Sequence, residues 1–217
     1  MRRRTGGRWA GREKSRVVNR LFSLLLCAVA LSLGGVWCYQ RNFAYHHLAG
    51  REIAPDAPVQ TEAIGVKKWS RDGYLIEPLA RFEMTGRVVL TDRFWSGREA
   101  DLSPVDLTLA WGPMSDTGLL EKISFYKMGR YARYEWDDMS IKPDTIAHHS
   151  ANMHMIAADS EVARKLKSIH REDLVTFSGY LVSVQATDGW SWKSSTSRTD
   201  EGNGACELVW VEKIASR

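Results

Sequence analysis

From Tyr74 onward the chain alternates short branched and aromatic runs with turn residues, a pattern of strands more than of helices. Leu75-Ile76 and the run Phe82 to Thr91 read as a first strand pair, with Gly86 as a bulge or bend. Val105 to Trp111 reads as a further strand, closed by Gly112-Pro113. Ile123 to Tyr126 and Tyr131 to Trp136 predict a hairpin about Gly129. One helix stands out after Asp159: Asp159 or Ser160 caps it, and Val162, Leu166 and Ile169 recur at spacings of four and three. Strands follow at Leu174 to Val184, at Trp190 to Ser197 after the Asp188-Gly189 turn, and at Cys206 to Val211. In the last of these, Leu208 and Trp210 face opposite Val209 and Val211. The order predicts an α+β, mostly β domain: an OB-like mixed barrel with one packed helix, with a generic α+β sandwich as the alternative.

Upstream the pattern changes. Residues 21–39 contain no charged side chain, and nineteen helical residues span close to the roughly 30 Å hydrocarbon core of a bilayer. Trp37 and Tyr39 stand at the far end, where aromatic rings favour the interface. Eight basic residues precede the run and only Arg41 follows it closely, which puts the N-terminus inside and the C-terminus outside. A cleaved signal peptide is the competing reading. The length of the run, the lack of an Ala-x-Ala site and Trp37 just before Cys38 argue for an uncleaved anchor. The expected organisation is a basic cytoplasmic tail (1–20), a transmembrane helix (21–39), a stalk carrying Pro55 and Pro58 (40–70) and an extracytoplasmic β-rich domain (71–217).

Composition adds two exclusions. The 217 residues are 44% apolar and 26% charged, the proportions of a folded chain. The tail holds eight basic residues against Glu13 alone, a net of +7, so the other 22 basic and 25 acidic residues leave the rest at −3. The folded part therefore lacks the basic excess that nucleic-acid binding needs. Cys27 and Cys38 belong to the apolar run, and Cys206 is the only cysteine beyond it, so no disulfide forms within the domain.

Two clusters carry candidate chemistry. Three histidines fall within seven residues at His148, His149 and His154; on a strand, His148 and His154 share a face and form a candidate metal pair, with Asp159 or Glu207 as a third ligand. No HExxH or paired CxxC accompanies them, no cofactor is indicated, and a polar strand with hydrogen-bonded histidines explains them equally. The second cluster runs from Trp190 and Trp192 through Arg198 and Asp200 to the glycines at 202 and 204. Its arginine and backbone suit an anion, and its paired tryptophans suit a stacked ring, while a plain hairpin loop needs neither. His154, Cys206 and Glu207 supply the residue types of a nucleophilic site, although no nucleophile elbow surrounds Cys206.

The segments Trp111-Gly112-Pro113, Ser150-Ala151-Asn152-Met153-His154, Gly179-Tyr180-Leu181-Val182, Trp192-Lys193-Ser194-Ser195 and Ala205-Cys206-Glu207-Leu208 resemble an uncharacterised family of small proteobacterial single-pass membrane proteins. The resemblance covers the soluble half to two-thirds of the chain and implies a bacterial inner-membrane protein with a periplasmic domain; it brings no activity with it. Three functions are weighed: a tethered binding or assembly module with an envelope protein partner, an envelope hydrolase built on the His148/His154 and Cys206/Glu207 region, and a sensor of small ligands or glycans.

Overall fold

The computed structural model describes residues 22–36, 45–197, 199–200 and 204–217. The chain divides into two compact units, Met1–Ala44 and Tyr45–Arg217. In the first, residues 22–36 form helix α1, which carries no Asp, Glu, Lys or Arg. Among the described residues no helix is long and apolar enough to cross a membrane. Residues 21 and 37–39 of the expected span, and the basic tail 1–20, lie outside the described residues.

The second unit is mostly strand. Short strands β1 (Val59–Glu62) and β2 (Trp69–Arg71) precede β3 (Tyr74–Arg93). Helix α2 (Arg98–Leu102) leads to β4 (Val105–Ala110). A 3-10 turn at Gly112–Ser115 and α3 (Thr117–Leu120) then give way to the hairpin of β5 (Ile123–Met128) and β6 (Tyr131–Trp136). Next come α4 (Pro143–Ala147), β7 (Ser150–Ala157), α5 (Ser160–Ser168), β8 (Leu174–Ala186), β9 (Ser191–Lys193) and β10 (Glu207–Ser216).

Five strands pair in a ring: β3 with β4, β4 with β7, β7 with β10, β10 with β8, and β8 with β3 again. Every pairing is antiparallel except β7 with β10. The expected first strand pair is one strand of 20 residues. One edge of β3 follows β8 from Tyr74 to Arg87; the other meets β2, β1 and β4 in turn. Its register shifts fall between Pro78 and Ala80 and between Val88 and Leu90, so the expected bulge lies on either side of Gly86 and not at it.

Alternation within each strand builds the core. Val105, Leu107 and Leu109 of β4, Met153 and Met155 of β7, Phe177 and Leu181 of β8, and Val209 and Val211 of β10 join Phe82 and Met84 of β3 in one buried cluster. Each such side chain contributes roughly 1.5–3 kcal/mol by leaving water. Helix α5 packs on β7 and β10 and adds Val162, Leu166 and Ile169 to the cluster, as its spacing predicts. Asp159 caps it, accepting a hydrogen bond from Val162 N at 2.8 Å.

Residues 45–57, expected as part of a stalk, lie against this unit. Tyr45 Oη donates to Leu120 O at 2.9 Å, and Gly112 N donates to the carbonyl of the buried Ala54 at 2.7 Å.

Candidate functional site

The outer face of β4 and β7 carries polar residues where a sheet facing another layer is usually apolar. Asp106 stands opposite His154 and Thr108 opposite Asn152, and all four are buried. The chain between these two strands, through the β5–β6 hairpin, comes back over them. At its tip Arg130 donates Nη1 to Asp106 Oδ1 at 2.8 Å and Nη2 to Ser103 O at 2.8 Å. The same guanidinium stacks over Phe94, with 4.0 Å from its carbon to the ring centroid. His154 Nδ1 lies 3.0 Å from the second oxygen of Asp106, and the Trp192 ring covers the imidazole at 4.7 Å between centroids.

Asn152 ties three segments together. Its Oδ1 accepts from Thr108 Oγ1 at 3.3 Å and from Lys127 Nζ, while Nδ2 donates to Arg130 O at 2.8 Å and to Cys206 Sγ at 3.6 Å. The hairpin, the β4–β7 face and the start of β10 thus share one side chain. Burial pushes the Lys127 ammonium below its ordinary pKa, against the pull of Asp106 and Asp92.

Beyond Asn152 the hairpin and the ring part. A cleft of about 490 Å³ opens there, within the range of roughly 300–1,000 Å³ common for ligand sites. Its floor is Thr108, Ser150 and Asn152; one wall is β6 with Phe125, and the other is the β9–β10 loop with Ser197, Asp200, Cys206 and Glu207. Trp111 and Pro143 also line it. Phe125, Tyr134 and Trp136 form a run of tilted rings with centroid spacings of 5.8 and 5.7 Å.

The sequence-derived candidates divide between the cleft and its surroundings. Asp200, Cys206 and Glu207 line the cleft, and Asp200 Oδ2 accepts from Ser195 Oγ at 2.7 Å. His154 does not line it: it is 4% exposed, between Asp106 and Trp192. His148 sits half-buried at the end of α4, donating its backbone N–H to Asp144 O. Among the described residues no group of three or more His, Cys, Asp or Glu side chains is arranged to hold a metal. Trp190 and Trp192 are half-buried on the ring's exterior, packed with each other, Tyr74, Arg98 and Arg130. Arg198 lies outside the described residues.

The chemistry available at Cys206 follows from its surroundings. Burial pushes the thiol pKa up, Glu207 and Asp106 push it the same way, and the hydrogen bond from Asn152 opposes them. The sulfur is therefore a thiol at neutral pH, with Asn152 as its hydrogen-bonding neighbour.

Sequence reasoning missed Arg130, Lys127, Asp106 and the aromatic wall of the hairpin. The signal was present: Asp106 and Thr108 interrupt an otherwise apolar strand, and Tyr134 and Trp136 fall on alternate positions of β6, with Phe125 opposite Tyr134 across the hairpin. Comparison with protein-family models, curated proteins and solved structures finds no match.

Proposed function

We propose that the chain is a membrane-tethered binding module of the bacterial envelope, whose Tyr45–Arg217 unit recognises a protein partner through the cleft beside β6. The observation that carries this reading is the cleft itself. It has one aromatic wall, one wall with two carboxylates, and a floor whose polar groups already hydrogen-bond one another. Such a cleft suits a ligand, and among the described residues the hydrogen-bonding neighbour of its thiol, Cys206, is the amide of Asn152 and not a base.

The finer architecture belongs to the same proposal. The ring is an OB-like barrel. In its favour, the ring strands taken in chain order follow the sequence one-two-three-five-four, the third and fifth run parallel, and the only helix between ring strands three and four packs on the core. The cleft then lies on the second and third strands beside the loop joining the fourth and fifth, where OB-folds bind their ligands.

The tether is read from the sequence. Residues 21–39 carry no charge, residues 22–36 are helical, and the tail before them is strongly basic. The reading is an inner-membrane protein with a cytoplasmic N-terminus and a periplasmic domain, and the proteobacterial resemblance agrees with it.

The test is gentle crosslinking of the full-length chain at native expression in membranes, followed by purification. A discrete partner that is lost in a Trp136→Ala chain of unchanged melting temperature supports the module. Partner recovery indifferent to that substitution, or the chain fractionating away from membranes, overturns it.

A further inference from the structure

We propose that the cleft takes an extended segment of the partner polypeptide, which adds as a strand to the second edge of β6; this rests on the reading of the cleft as the recognition site. Side chains along a strand alternate between faces. A cleft lying on one face of β6 would be lined by every other residue. Instead Tyr131, Ala132, Arg133, Tyr134 and Trp136 all line it, so the cleft runs along the strand's edge. From β5 only Phe125 reaches it.

That edge has no strand beside it: among the described residues β6 pairs with β5 alone, in a two-stranded sheet separate from the ring. A strand paired on one side presents a row of backbone donors and acceptors on the other, the template that strand addition uses. The segment of β6 contains no proline or glycine to blunt it. The walls then specify the occupant. Trp111, Phe125 and Trp136 form a subsite for a large apolar side chain. On the facing wall Asp200 and Glu207 are both acidic, and among the described residues the one basic member of the lining, Arg133, lies on β6 itself. The two described carboxylates of that wall favour a lysine or arginine on the incoming strand. The occupant is an extended, proline-free segment with a large apolar residue near a basic one. Sugar rings also stack on aromatic walls, but they make no use of a strand edge.

The experiment pans a phage-displayed library of random linear peptides against the full-length chain in detergent micelles. The most enriched peptide is then titrated by fluorescence anisotropy, alongside versions backbone N-methylated at one alternate set of residues or the other. The expected result is enrichment of peptides with the stated pattern. N-methylation of one alternate set should weaken binding about tenfold or more, the loss of two or so backbone hydrogen bonds, while the other set is nearly silent. Trp136→Ala should lower affinity by a similar factor, and the N-methyl comparison stands on the unaltered chain even if that variant does not fold. No enrichment, or equal tolerance of both methylated sets, overturns the proposal. Titration with chitooligosaccharides and maltooligosaccharides separates the two readings. Saccharide binding lost in Trp136→Ala, without peptide binding, rejects strand addition while keeping the cleft as a recognition site. Binding of neither probe rejects strand addition and leaves the tethered module to be decided by the membrane crosslinking.

Discussion

Arg87 and Glu172 form a buried ion pair in which the arginine is 0% and the glutamate 5% exposed. Arg87 donates Nε to Glu172 Oε1 at 3.2 Å and Nη1 to Ser115 O at 2.9 Å. The glutamate also accepts from His46 N at 3.1 Å, and its backbone adopts a positive φ of 78°. Its carboxylate therefore fastens the first residues of the folded unit to the sheet, next to the cation–π contact of Arg87 with Tyr45.

Glu172→Gln leaves Arg87 buried without its counter-charge. Removing one partner of a buried pair costs about 3–5 kcal/mol. Urea unfolding should show that loss, together with raised proteolysis in the segment 45–57. A loss below about 1 kcal/mol, the weight of an exposed pair, contradicts the role given to Glu172.

Closure of the ring depends on Gly179. A Cβ there would lie 1.9 Å from the Trp210 carbonyl oxygen, an approach no side-chain rearrangement relieves because the obstacle is backbone. Gly179→Ala should abolish cooperative folding, read by near-UV circular dichroism. Gly118→Ala, whose Cβ meets nothing nearer than 3.5 Å, is the tolerated control.

The Cys206 thiol titrates above its ordinary value because it is buried. A raised pKa in the folded state means the native protein holds a proton that the unfolded chain releases. Stability tied to this group is present below the unfolded thiol pKa of about 8.5 and is lost as pH rises toward the folded value. Iodoacetamide labelling of Cys206 should accordingly be slow at pH 7 and accelerate only at alkaline pH. Labelling at neutral pH as fast as a low-pKa thiol contradicts the inert reading and revives a nucleophilic one.

Asn152→Ala removes the side chain that joins Thr108, Lys127, Arg130 and Cys206. Deleting one member of a buried, satisfied network costs about 1–3 kcal/mol for each group left unpaired. Hydrogen exchange should become faster in β5 and β6 while the ring strands keep their protection. Uniform loss across all strands would show that the hairpin is not separately anchored.

The sequence made the local elements legible and hid the long-range ones. The capped helix, the hairpin about Gly129 and the alternation in β10 rest on neighbouring residues, and they stand where the pattern puts them. Strand β3 read as two pieces, Leu75-Ile76 and Phe82 to Thr91; Pro78 between them is accommodated at a register shift, where a missing donor costs little. Strand β9 is shorter than Trp190 to Ser197 because Ser194 and Ser195 spend their hydroxyls on local backbone and on Asp200. At the cleft, Asp200, Cys206 and Glu207 were visible as a cluster. Their opposing wall comes from a hairpin about seventy residues earlier, and only the β4–β7 and β7–β10 registers bring the two together. His154 looked like a ligand because its partner Asp106 is 48 positions away and shares no motif with it.

The most direct measurement is site-specific photocrosslinking in membranes, with the photoreactive residue at position 133 on the cleft wall and, as control, at position 213 on the exposed side of β10. A discrete crosslinked partner from position 133, absent from 213 and abolished by Trp136→Ala, is the result this account predicts. Equal crosslinking from both positions, or none from position 133 at native expression, contradicts the cleft as the site of recognition.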